Sequence, residues 1–220
     1  MQNNREQIIQ NVKEKKLIAI VRGIDPVYMT DLGNALLAGG INMVEVTFDQ
    51  RQSDDFSATV SAVSALKEAL GEKMYVGAGT VLTREQVDLA VSAGAGYIVT
   101  PAVDCSLIRY AREKGLVLMP GAMTPTEAYD AYNAGADFVK VFPAGVLGPS
   151  YIKAIRGPLP HIPLLAVGGI SEKNIPDFLA TGVMGFGIGG NLVNGGWIRE
   201  GRFDRISQLA SVFVQSTKTV

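Results

Sequence analysis

AYNAGADFVKVFPA, residues 131–144, carries the pattern that decides the fold: a helix end, a glycine at 135, then an apolar run interrupted by one charge, Lys140. Glycine just past the last helical turn suits a left-handed C-cap, and a short β-rich run directly behind it reads as a helix feeding a strand. The junction recurs in LLAGGINMVEV (36–46), VSAGAGYIVT (91–100), REKGLVLMP (112–120) and LATGVMGFGI (179–188). Its spacing in the middle of the chain is about twenty residues, which puts Thr100, Pro120 and Lys140 at equivalent places near strand ends.

Working outward, the β-rich runs fall at 17–21, 43–47, 74–78, 97–100, 117–119, 138–142, 163–167 and 185–188, eight in all, with amphipathic segments between them. Helix starts are marked as well. Thr83 stands three residues before Gln86, and Thr124 precedes Pro125 with Glu127 three residues on, both in the manner of a capping box. Eight βα units without a Pro- or Ser-rich linker predict an α/β fold of one domain over residues 1–220. This is a (β/α)8 TIM barrel with an extra N-terminal helix, about 4–15, across its bottom. Chemistry is then expected at the C-terminal ends of the strands.

Composition narrows the chemistry. A formal net charge of −1 leaves no basic footprint for nucleic acid. The apolar stretches are short, and the first ten residues, MQNNREQIIQ, are polar where a signal peptide is apolar, so the expectation is a soluble, cytoplasmic protein that does not enter membranes. One cysteine, Cys105, excludes an internal disulfide, and one histidine, His161, excludes a His-rich metal site. Cys105 opens a helix with no histidine nearby in sequence and reads as structural; His161 lies in a loop at the far end of the barrel. Lysine, glutamate, threonine, arginine and backbone groups are left to do the work.

Lys140 is the strongest signal, because burying a solvated ammonium in an apolar strand is costly. Desolvation lowers an amine's pKa and yields the neutral nucleophile that imine chemistry needs. The plainer alternative is a lysine that snorkels to water from a strand edge. Glu45 is the matching anomaly: Val44 and Val46 point toward helices while Glu45 points into the barrel, where a carboxylate can move protons. Its plainer alternative is a buried ion pair with Lys140 or Arg22. Gly168 and Gly169 after the seventh run, and Gly189 and Gly190 with Asn191 after the eighth, fit a phosphate held by backbone N–H groups. Arg22 at the end of the first strand can bind a carboxylate or phosphate bidentately. Thr80 and the Thr100–Pro101 turn offer hydroxyls and amides to a small keto acid, with Pro120 and Phe142 as apolar walls.

Together, VEVTF (44–48), VGAGTVL (76–82), VTPA (99–102), MPGAMTPTEA (119–128), FVKVFPA (138–144) and VGGIS (167–171) resemble the bacterial 2-keto-3-deoxy-6-phosphogluconate and 4-hydroxy-2-oxoglutarate aldolases, in order from about Leu17 to Leu192. The resemblance implies a class I aldolase on a (β/α)8 barrel, a homotrimer, with no metal or organic cofactor. It implies that Lys140 forms an imine with the C2 ketone of a keto acid substrate and that Glu45 shuttles protons. It also places Thr80, Thr100 and Pro101 around the pyruvate portion and the four glycines around a distal phosphate. The implied products are pyruvate and glyceraldehyde 3-phosphate, or pyruvate and glyoxylate from 4-hydroxy-2-oxoglutarate. LIAIVRGI (17–24) and LGPSYIKAI (147–155) look more like the 6-phosphogalactonate branch, in which the strand-one arginine, here Arg22, binds substrate. Two departures stand out: Asp49 where an arginine often follows the glutamate strand, with Arg51 two residues along, and Gly190 where a serine often assists the phosphate. Two other readings compete. One is a phosphate-binding barrel isomerase or transferase, and the other is a sugar-acid binding barrel without turnover.

Overall fold

The structure, a computed structural model, describes residues 2–52 and 55–218. Its strands are β1 (Leu17–Val21), β2 (Met43–Thr47), β3 (Tyr75–Gly79), β4 (Tyr97–Val99), β5 (Val117–Met119), β6 (Gly121–Ala122), β7 (Val139–Val141), β8 (Leu164–Val167) and β9 (Gly185–Ile188). They form one parallel sheet in the order β5-β4-β3-β2-β1-β9-β8-β7-β6, so the two ends of the sheet are joined covalently through residue 120. This is the expected α/β barrel, with helices around it. The eight expected runs become nine strands because Pro120 divides the fifth. Proline has no N–H for the ladder, so pairing with β4 stops at Met119 and pairing with β7 takes over at Gly121. The Pro120 carbonyl still accepts from the Lys140 N–H at 2.9 Å. β1, β2, β5 and β9 fall on the expected residues, and the ends of β3, β4, β7 and β8 lie within one residue of them.

Strand alternation sorts the core into two shells. Ile18, Met43, Val99, Met119, Phe138 and Leu165 fill the barrel. Leu17, Val44, Val46, Ile98, Leu118 and Val139 face the helices. At each of the five helix–strand junctions a glycine takes the left-handed conformation, with φ from 81° at Gly115 to 108° at Gly135. Thr124 and Glu127 form the full capping box. Thr83 accepts from the Gln86 N–H, but the Gln86 side chain is used elsewhere.

The helix Gln2–Lys15 closes the bottom, its Ile8 and Val12 packed into the inner cluster. Full burial of two such side chains is worth about 2 kcal/mol each. Polar groups fix its position. Arg5 pairs with Asp137, which also accepts from the Leu118 N–H at 3.0 Å, and Asn11 and Asn42 exchange amide hydrogen bonds at 3.0 and 2.9 Å. Burial holds the Asp137 carboxyl above its usual range, against the opposing pull of the Leu118 N–H and Arg5. Among the described residues no helix is long and apolar enough to cross a membrane.

Candidate active site

At the C-terminal ends of the strands a cavity of about 510 Å³ opens, within the range of small-molecule sites. Its lining combines Arg22, Glu45, Thr80, Pro101, Lys140 and Phe142 with Gly168, Gly169, Gly189, Gly190 and Asn191. Ile20, Val167, Ile170, Gly187 and Val193 complete the wall. Alternation explains the choice. Arg22 continues the inward face of Ile18 and Ile20, Glu45 that of Met43, and Lys140 that of Phe138.

The same rule removes two expected residues. Thr100 and Pro120 have the parity of the helix-facing Ile98 and Leu118, and they lie against Leu107, Ile108 and Ala111 of the helix Cys105–Glu113, outside the cavity. The Thr100 hydroxyl donates to the Ala102 carbonyl at 2.5 Å. Pro101 alone of that turn reaches the cavity. His161 stacks edge-on against Tyr132, and Cys105 lies near the Asp130 carbonyl, both away from the cavity.

Glu45 is 3 % exposed and Lys140 7 %, yet no hydrogen bond or ion pair joins them to each other or to Arg22 among the described residues. They are not a closed structural pair. Burial raises the Glu45 carboxyl above its usual range, opposed by the charges of Lys140 and then Arg22. Burial likewise lowers the Lys140 amine; Glu45 opposes this and Arg22 adds to it. Both groups are thus biased toward neutrality, an amine able to attack and a carboxyl able to give and take protons. The Lys140 Nζ sits 5.0 Å from the centre of the Phe142 ring, which is 40 % exposed at the rim.

Glycines make room for this arrangement. A Cβ on Gly79 would collide with the Glu45 carboxylate, and one on Gly77 with the Tyr97 ring. At the other end, Gly168 and Gly169 have φ of 88° and 74°, and a side chain on Gly168 would meet the Phe142 ring at 3.0 Å. Among the described residues no loop hydrogen bond takes up the amides of Gly168, Gly169, Gly189 or Gly190, as an anion site requires. A Cβ at Gly190 would meet nothing within 4 Å.

Thr80 has φ of 55°, a costly conformation for a β-branched residue and one found at functional sites. Two residues that sequence reading did not single out for the site hold it. Gln50 donates to the Thr80 carbonyl at 2.7 Å, and Gln86 donates to Gln50 at 3.1 Å while accepting from the Leu82 N–H at 2.6 Å. Arg51 folds onto Asp49, Nε and Nη2 at 2.9 and 2.7 Å, and holds that carboxyl down to about 2. Arg51 is thereby turned from the cavity, whose wall-borne guanidinium is Arg22. Among the described residues no group of three or more His, Cys, Asp or Glu could hold a metal.

The family model described as KDPG and KHG aldolase matches residues 8–209. The chain belongs to this aldolase family. Among curated members, the probable 2-dehydro-3-deoxy-6-phosphogalactonate aldolase of Rhizobium meliloti (strain 1021) is 42 % identical over 184 residues, covering 83 % of this chain and 84 % of the relative. The KDPG aldolase of Legionella pneumophila, solved with pyruvate captured at low pH as a covalent carbinolamine intermediate, superposes with a TM-score of 0.82 at 27 % identity, covering 90 % of this chain and 94 % of that one. A cube-shaped, porous protein cage designed by fusing symmetric oligomeric domains gives 0.84 at 36 % identity, covering 93 % and 73 %.

Proposed function

We propose that this aldolase-family chain, acting as one barrel domain over residues 1–220, cleaves a 6-phosphorylated 2-keto-3-deoxy aldonate to pyruvate and glyceraldehyde 3-phosphate through an imine on Lys140. The observation that carries the reading is the pair Lys140 and Glu45, buried in one cavity, joined by no hydrogen bond or ion pair among the described residues, and each pushed toward its neutral form. The neutral Lys140 amine adds to the C2 ketone, and loss of water gives the imine. Glu45 takes the proton of the C4 hydroxyl, directly or through a water. The C3–C4 bond then breaks, its electrons pass into the enamine, and the aldehyde leaves. Protonation at C3 and hydrolysis release pyruvate and free the amine.

Arg22, the Thr80 hydroxyl and Pro101 hold the keto-acid end, with Phe142 as the apolar wall. Gly168, Gly169, Gly189 and Gly190 receive the phosphate. The likeness to the Rhizobium relative and the cavity position of Arg22 favour the galactonate configuration at C4 over the gluconate one. No metal or organic cofactor is needed for these steps. We place the chain in the cytoplasm as a homotrimer, a reading supported by the family resemblance and the likeness to symmetric oligomeric domains.

Borohydride reduction with pyruvate, read by intact mass and peptide mapping, tests the proposal. The expected result is an adduct on Lys140. No adduct would return the chain to the isomerase, transferase or binding readings. The pH profile adds a check on sign. Because burial lowers the Lys140 amine and raises the Glu45 carboxyl, activity should fall on the acid side, where Lys140 takes up a proton and Glu45 loses the charge with which it accepts one.

A further inference from the structure

Tyr97 opens β4 and is fully buried in the barrel, and among the described residues its phenolic oxygen is the one side-chain polar atom sealed from both solvent and cavity that has no hydrogen-bond partner. An unsatisfied buried hydroxyl is costly, and phenylalanine would pack among Ile18, Met43, Val117 and Phe138 without that cost. What the hydroxyl faces explains its presence. In the sheet register Glu45 lies beside Gly77 and Gly77 beside Tyr97, so the two side chains approach one another across a residue with no side chain.

The glycines locate both ends. The ring edge of Tyr97, including Cζ, which bears the hydroxyl, lies over Gly77, and the Glu45 carboxylate lies over Gly79. Gly77 and Gly79 are two apart on the same inward face of β3, about 6.6 Å along the strand. Phenol and carboxylate are therefore neighbours on one ledge. Tyr97 is on the core side of Glu45, and the cavity is on the other.

We propose that Tyr97 is a positioning residue whose hydroxyl donates a hydrogen bond to the ionised Glu45 carboxylate from the core side, holding it in place for proton transfer. A change of Glu45 rotamer or a single bridging water closes the remaining gap. The charges that reach Glu45 are Lys140 on β7 and Arg22 after β1, both from the cavity side. Tyr97 thus supplies a neutral donor from below. The burial that pushes its phenol well above the usual range, reinforced by Glu45, keeps it a donor throughout the working pH range.

The inference rests on the aldolase reading for its catalytic meaning, but the contact itself is tested apart from activity. Tyr97→Phe removes one oxygen and keeps the packing. The Glu45 titration is followed by the carboxyl infrared band that disappears in Glu45→Gln, in the wild type and in Tyr97→Phe. Losing a donor to the charged form raises the midpoint, by about one pH unit for a charge-assisted bond, and the acid limb of kcat/KM should move up with it. The Tm should hold or rise, and kcat should fall several-fold with KM nearly unchanged. An unmoved Glu45 midpoint overturns the contact, even if pyruvate is trapped on Lys140. A shifted midpoint in a protein that traps no pyruvate upholds the contact and defeats the aldolase reading instead.

Discussion

The two ends of the barrel bury similar groups and treat them in opposite ways. At the bottom each charge or amide has a partner: Arg5 with Asp137, Asp137 with the Leu118 N–H, Asn11 with Asn42. At the top no hydrogen bond or ion pair, among the described residues, holds Glu45 or Lys140, Thr80 is held in a strained conformation, and a cavity replaces packing. The contrast teaches where stability is gained and where it is given up. Paired polar groups orient a helix over the bottom, whereas unpaired ones at the top keep proton affinities available for chemistry.

The largest effect should come from breaking the top. Lys140→Met removes the nucleophile and should lower activity at least about a thousandfold. It also removes an unpaired buried amine, so the Tm should rise, by roughly 2–4 °C for each kcal/mol gained in a chain of this size. A large fall in Tm would mean that Lys140 is a structural cation after all. The bottom should respond the other way. Asp137→Ala strands Arg5 and the Leu118 N–H and should cost about 2–3 kcal/mol in denaturant unfolding, with kcat per folded molecule unchanged. Loss of activity beyond the loss of folded protein would show that the ends are coupled.

Much of this contrast was legible in the sequence. Lys140 and Glu45 stand out because a charge inside an apolar strand must be paired, neutralised or used. The glycine junctions expose the repeat, and alternation along each strand predicts which end residues turn inward. Thr100 and Pro120 were misplaced because the period of about twenty residues aligned them with Lys140, while alternation within their own strands turns them toward the helices. The break at Pro120 was hidden because the missing N–H matters only once the neighbouring strands are known. The Gln50–Gln86 clamp joins the 3-10 turn Gln50–Gln52 to the first turn of the helix Arg84–Ser92 across 36 positions, and nothing in local pattern encodes the contact. Tyr97 looked like any aromatic in a strand until Glu45 and Gly77 were seen beside it.

The smallest expected effect sharpens the phosphate end. Gly190→Ser places a hydroxyl in open space, so the fold should be untouched, and one added hydrogen bond should raise kcat/KM for a phosphorylated over an unphosphorylated substrate about fivefold. An unchanged ratio would move the phosphate away from that loop.

Gly79 has a consequence for the history of such a chain. While position 45 carries a glutamate, even alanine at 79 would have to displace the carboxylate from the place it holds beside the cavity. A change at 79 is therefore felt first by the acid and not by the fold. In a decaying duplicate, where the acid no longer matters, that constraint on the glycine is lifted.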